Sequence, residues 1–146
     1  MNKKFVVFLI ASLICLGAYF GNVSFLCSQV TESPALFLND VLIDQSGHGD
    51  TITQRHSLKI QNLGTTRLYE VRAILRKVPD YMAIMEGEVT FDMIASGDTV
   101  AGSGEFVISI DTAKRTSDTE FVWEIIYKDV EGNLNETVVT KAIDLP

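Results

Sequence analysis

Phe121-Val122-Trp123-Glu124-Ile125-Ile126-Tyr127-Lys128-Asp129-Val130-Glu131-Gly132-Asn133 reads as one strand and the turn that ends it. Phe121, Trp123, Ile125 and Tyr127 fall at every second position, and a strand sends alternate side chains to opposite faces. These four apolar groups therefore share one face, with Val122, Glu124, Ile126 and Lys128 on the other. An outer row of two aliphatics and two charges fits a sheet that packs one face on a core and leaves the other near water. On that stripe Trp123 reads as a core plug; an exposed sugar- or peptide-binding platform is the rival reading. Gly132 supplies the positive φ that a tight connection needs, and Leu134 to Ile143 returns as the final strand.

The same period of two extends upstream. Phe106, Ile108 and Ile110 alternate with Glu105, Val107 and Ser109, and Val89, Phe91 and Met93 with Thr90 and Asp92. Val71, Ala73 and Leu75 share a face within Leu68 to Val78, and Ile52, His56, Leu58 and Ile60 share one in the strand before it. Leu36 to Ile43 is the first candidate strand. Ala95-Ser96-Gly97-Asp98 and Asn62-Leu63-Gly64-Thr65-Thr66 read as turns. Tyr81 to Glu86, after the Pro79-Asp80 break, carries no clear period and fits a crossing between sheets. No window beyond the N-terminal run sustains helical spacing. About seven short strands between Leu36 and Ile143 predict an all-β, antiparallel sandwich.

Three stretches resemble the immunoglobulin-like modules of bacterial and archaeal envelope proteins, the CARDB-like adhesion-type group. Leu58-Lys59-Ile60-Gln61-Asn62-Leu63-Gly64, followed by Leu68 to Val71, is similar to their strand, Asn-x-Gly turn and next strand. Gly87 to Asp98 with Phe106 to Asp111 resembles their "I-x-x-G-D" turn and strand, and Trp123 to Asn133 looks like their closing hairpin. The resemblance implies an immunoglobulin-like fold and an extracytoplasmic location. It implies no activity, since this architecture hosts unrelated tasks. The antibody pattern of a Trp between two paired cysteines is absent. Phe121 falls near where a strand-start Tyr would lock a corner by a hydrogen bond that Phe cannot make.

The N-terminus carries a different message. Met1-Asn2-Lys3-Lys4 leads into Phe5 to Phe20, sixteen residues without charge or proline. Base followed by apolar run is the order of a secretory signal or an N-terminal membrane anchor. The run falls short of the ~20 residues a spanning helix needs, although Val23, Phe25, Leu26 and Cys27 extend it. Leu16-Gly17-Ala18 and Leu26-Cys27-Ser28 are the candidate cleavage positions. Residues 1–28 are thus read as signal or anchor, 29–34 as a linker ending at Pro34, and 35–146 as the sandwich domain. Both cysteines, Cys15 and Cys27, lie in the export segment, so the domain itself carries no disulfide. From Gln29 onward the chain has 12 − 2 = 10 basic and 19 acidic residues, a net charge of −9. That balance disfavours nucleic acid and anionic membrane surfaces.

The residue types that carry chemistry are sparse. A hydrolytic triad needs a nucleophile, a base and an orienting acid brought together. The histidines are His48, between two glycines, and His56, in phase with core positions at the margin of a strand. No Gly-x-Ser-x-Gly elbow is present. Asp44-Gln45-Ser46-Gly47-His48-Gly49-Asp50 places donors at alternate positions as a calcium loop does, but its twelfth position is Arg55 rather than Glu. A turn between strands uses the same residues for geometry. Glu86, Glu88, Asp92 and Asp98 stand at strand ends, where charge marks the solvated side. The sequence therefore predicts no catalytic, cofactor-binding or metal-ligating residue and no cofactor. The expectation is a non-catalytic exported structural or protein-interaction module, with another envelope or extracellular protein as partner. A carbohydrate- or calcium-binding accessory domain is the alternative. If Leu36–Ile43 is an edge strand, its near-continuous apolar sequence is the adhesive surface.

Overall fold

Two antiparallel sheets face each other across the apolar stripes read above. The computed structural model describes residues 34–142; the expected signal or anchor at 1–28 and most of the linker lie outside them. The strands are β1 (Leu36–His48), β2 (Thr51–Asn62), β3 (Leu68–Lys77), β4 (Met82–Glu86), β5 (Glu88–Ile94), β6 (Thr99–Ala101), β7 (Phe106–Asp111), β8 (Glu120–Lys128) and β9 (Leu134–Ala142). One sheet runs β1-β2-β7-β4, with β6 pairing the far end of β2; the other runs β5-β3-β8-β9. A 3-10 turn, Thr112–Lys114, follows β7.

Among the described residues nine strands stand where about seven are expected, and the two additions have physical reasons. The ambiguous stretch after Pro79 contains β4, which pairs with β7 from Met82↔Ile110 to Glu86↔Val107. Its period is obscured because neighbours Tyr81 and Met82 are both buried. β6 has three residues, too few to show an alternation. Gly102, just after β6, explains its position: a Cβ there would lie 2.2 Å from Val89 Cγ1 and 2.8 Å from Phe91 Cζ. Only a residue without a side chain lets β6 approach β5 so closely.

The core follows the stripes. Trp123 and Phe121 on β8, Phe106 and Ile108 on β7, and Leu58 and Ile60 on β2 are all essentially sealed from solvent. Trp123 meets Phe106 edge-on at 5.0 Å between centroids and 81° between planes, so the two sheets touch through an aromatic pair. The core-plug reading of Trp123 describes what the fold does with it. On the outer face of the β5-β3-β8-β9 sheet, Arg72 pairs with Glu88 at 2.9 Å, Arg76 with Glu124, and Lys128 with Glu70 at 2.5 Å. Glu70 sits at φ 48° where the register shifts between Tyr69 and Arg72. A bulge of this kind re-aims one side chain at the cost of a strained residue.

Two further contacts close the ends. Asn62 is fully buried; its amide donates to Thr66 O (2.7 Å) and Ile94 O (3.2 Å), and its oxygen accepts from Gly64 N (3.0 Å). The Asn-x-Gly turn thus ties the β2–β3 connection to the end of β5. At the other end the Tyr81 hydroxyl donates to Asp118 O at 2.7 Å. A tyrosine does secure a loop near the start of β8, from Tyr81 rather than from position 121.

Two stability outcomes follow from this packing. Trp123→Ala should lower unfolding free energy by about 3–5 kcal/mol, read from denaturant midpoints at constant slope; a loss near zero contradicts the packing of β8. Gly102→Ala should cost about 1–3 kcal/mol, because Val89 and Phe91 must move to admit one methyl.

Candidate functional site: the edge strand and its polar clasp

β1 forms the border of its sheet, and its residue pattern changes along its length. Among the described residues it pairs only with β2, from Leu36↔Asn62 to His48↔Thr51, with a register shift between Leu42 and Asp44. Leu38 is buried, but Phe37, Val41, Leu42 and Ile43 are 54, 44, 41 and 50% exposed. From Val41 to His48 every residue is exposed. The strand continues past the expected end at Ile43, through a register shift, alongside the half of β2 that pairs with β7. The missing apolar alternation in 44–48 reflects solvent on both faces.

The stretch Asp44–Asp50, compared above with a calcium loop, lies in the β1–β2 hairpin. Asp44, Ser46 and His48 lie in extended backbone opposite Arg55, Thr53 and Thr51. Alternate residues of a strand stand about 6.6–6.8 Å apart along it, so these side chains diverge instead of converging on one ion. Gly49 (φ 61°) and Asp50 form the hairpin turn. Among the described residues no group of three or more His, Cys, Asp or Glu is placed to hold a metal. The acids at strand ends are also separated: Glu86 closes β4 in one sheet, Glu88 and Asp92 lie on β5 in the other, and Asp98 precedes β6.

Behind the edge lies a polar cluster buried between the sheets. β2 turns Gln54, His56, Leu58, Ile60 and Asn62 inward, each no more than 2–3% exposed. His56 stacks on Phe106 at 4.8 Å and 12°. Its Nδ1 faces Asp40 Oδ2 on β1 at 3.2 Å, at an angle too bent for a well-aligned hydrogen bond. Its Nε2 lies 3.2 Å from Gln54 Oε1, and Gln54 in turn donates to Gln45 Oε1 at 2.8 Å. Oxygens thus face both ring nitrogens, and a neutral imidazole can donate to only one of them. Across the gap, Lys141 of β9 donates to Asp40 Oδ1. Asp40 therefore clasps the border strand of one sheet to the border strand of the other.

Sequence reasoning placed His56 at the core margin; it sits deeper, under the aromatic stack. Asp40 and His56 have the acid–imidazole relation of a hydrolytic triad, yet the place a nucleophile would occupy is held by the Gln54 amide oxygen. His48 is exposed at the far end of β1. Asp40 and Lys141 carried no sequence signal as a pair, being 101 positions apart.

Burial alone would push the Asp40 carboxyl up, but its contacts with His56 and Lys141 and the charge of Lys141 outweigh that and hold it at about 2, below 3.8. A carboxylate depressed on folding contributes stability that is full above the unfolded value and is lost as pH falls through about 2. The shift corresponds to about 2 kcal/mol. Asp40→Asn should therefore flatten the loss of stability between pH 4 and pH 2, while lowering stability at pH 7 because Lys141 loses its counter-ion.

Fold and edge together define an immunoglobulin-like β-sandwich domain. One solved structure agrees on that fold. The yeast GGA1 GAE domain superposes with a TM-score of 0.52 at 12% identity, covering 80% of this chain and 96% of that one. A FixG-related protein from Vibrio parahaemolyticus aligns over 75% of this chain and 97% of its own at 10% identity, with a TM-score of 0.31. No protein-family model matches the chain, and none of the curated proteins matches it.

Proposed function

We propose that this chain is an exported, non-catalytic interaction module that binds a protein partner by strand addition along β1. One observation carries the reading: a long border strand with a free backbone edge among the described residues and four exposed apolar side chains, Phe37, Val41, Leu42 and Ile43. An unpaired edge offers a row of N–H and C=O groups, and an extended partner that joins it gains both ladder hydrogen bonds and side-chain pairs. β1 carries neither the lysine nor the proline that guard many edges, and its protection is limited to the inward Asp40 and the register shift after Leu42. Lys3 and Lys4 before the apolar run support export, to the periplasm, the cell surface or the medium, with any membrane contact made through the N-terminal segment. The turn motifs shared with CARDB-like adhesion modules support the same setting. Neither nucleic acid nor a cofactor has a place in this reading. Trp123, 1% exposed, offers no platform to a sugar, so no observation favours the carbohydrate alternative.

The test uses photo-crosslinking in the cells that make the protein. A photoreactive residue at position 41 should give a protein adduct in the extracytoplasmic fraction, and one at Val130, exposed on the β8–β9 hairpin, should not. Val41→Lys should leave the melting temperature within a few degrees and abolish adducts from a probe at position 37. Equal labelling from positions 41 and 130, or adducts indifferent to Val41→Lys, sinks the reading.

A further inference from the structure

The border strand has a symmetry that names one occupant. The register shift after Leu42 ends the regular part of β1, so the straight edge runs from Leu36 to Leu42 with Asn39 at its midpoint. Two antiparallel copies of one strand are related by a two-fold axis perpendicular to the sheet. That axis keeps inward residues opposite inward ones, so the numbers of opposed residues must sum to an even value.

Few such registers use this segment well. A sum of 80 sets Asp40 against Asp40 of the second copy, like charge on like charge. A sum of 76 sets Leu36 against Asp40 and Phe37 against Asn39, and leaves Val41 and Leu42 unopposed within the straight edge. Sums of 82 and above draw in the bulge and Asp44. A sum of 78 uses every residue from Leu36 to Leu42. It sets Phe37 against Val41 twice on the outer face and Leu36 against Leu42 twice on the inner face. Asn39 meets Asn39, whose amide is both donor and acceptor and so complements itself. Leu38 falls opposite Asp40, whose carboxylate is already held by Lys141 and His56. Aromatic against β-branched is a favoured cross-strand pair.

We infer that β1 pairs with β1 of a second copy of this chain, antiparallel and centred on Asn39, joining two sheets into one. The inference rests on the reading of β1 as the binding edge. The net negative charge opposes self-association, but it acts weakly beyond the ~8 Å screening length, and the next acid along the strand, Asp44, lies past the paired stretch and opposite Arg55.

Thiol placement tests the register directly. Opposed strand residues have Cα atoms about 4.5–5.5 Å apart, within disulfide range. In the full chain carrying Cys15→Ser and Cys27→Ser, Asn39→Cys should form a disulfide-linked dimer under mild oxidation, at least tenfold more than Val41→Cys or Val130→Cys. Phe37→Cys mixed with Val41→Cys should cross-link, while each alone should not. A dimer mass by light scattering for the parent, reduced to monomer by Val41→Lys, completes the expected result. If Asn39→Cys links no better than Val130→Cys, or Val41→Cys links best, the inference is overturned. Photo-adducts to a different protein at position 41 would then leave the edge reading standing. Loss of both results removes both.

Discussion

The edge-to-face contact of Trp123 with Phe106 is the point on which the two sheets depend. Each sheet has one apolar face and cannot remain in water alone, and these rings are the largest groups each contributes. Phe106 also carries the His56 ring beside it on the neighbouring strand of its own sheet, so an imidazole and a phenyl lie side by side in one sheet and the indole of β8 meets the phenyl from the other. Asp40, on the next strand of that sheet, turns its carboxylate to both His56 and Lys141. The polar clasp thus adjoins the aromatic packing.

Much of the sandwich was legible because strand burial writes itself into the sequence with a period of two. The alternations in β2, β3, β5, β7 and β8 appear as inward and outward rows. The period failed where its physical basis failed. β4 opens on buried Met82 directly after buried Tyr81, β6 is three residues long, and the far end of β1 is exposed on both sides. The border position of Leu36–Ile43 was anticipated as a condition, and its free edge is what makes the segment of interest. The clasp was invisible for a different reason: Asp40, His56 and Lys141 come from three strands in two sheets, and nothing local marks a contact between the first strand and the last. Asn62 was read as turn chemistry, whereas its side chain bonds three backbone groups from a buried position.

The clasp and the edge impose opposite demands on the same seven residues. Inward, Asp40 must keep a charge in a nearly dry place, which is tolerable only while Lys141 and His56 remain beside it. Outward, the strand presents an apolar surface that water hydrates poorly. An inward-pointing charge on a border strand is a recognised safeguard against indiscriminate pairing. Here it discriminates among registers, permitting only those in which the acid meets an aliphatic group. Specificity of this kind comes from excluding wrong alignments more than from strengthening the right one.

The direction of the first and last strands has a mechanical meaning. β1 starts beside Asn62, at the end where Lys128 pairs with Leu134, and β9 finishes beside Glu120, at the end held by Tyr81. The chain thus comes into the sandwich at one end and leaves it at the other, with β1 and β9 running side by side in the same sense. Tension applied along the polypeptide would load the β1–β2 ladder in shear, so that its hydrogen bonds share the force at once instead of parting in succession. The Asp40–Lys141 bridge, lying between the two loaded strands, would resist their sliding apart. A domain wired in this way can bear tension along its length.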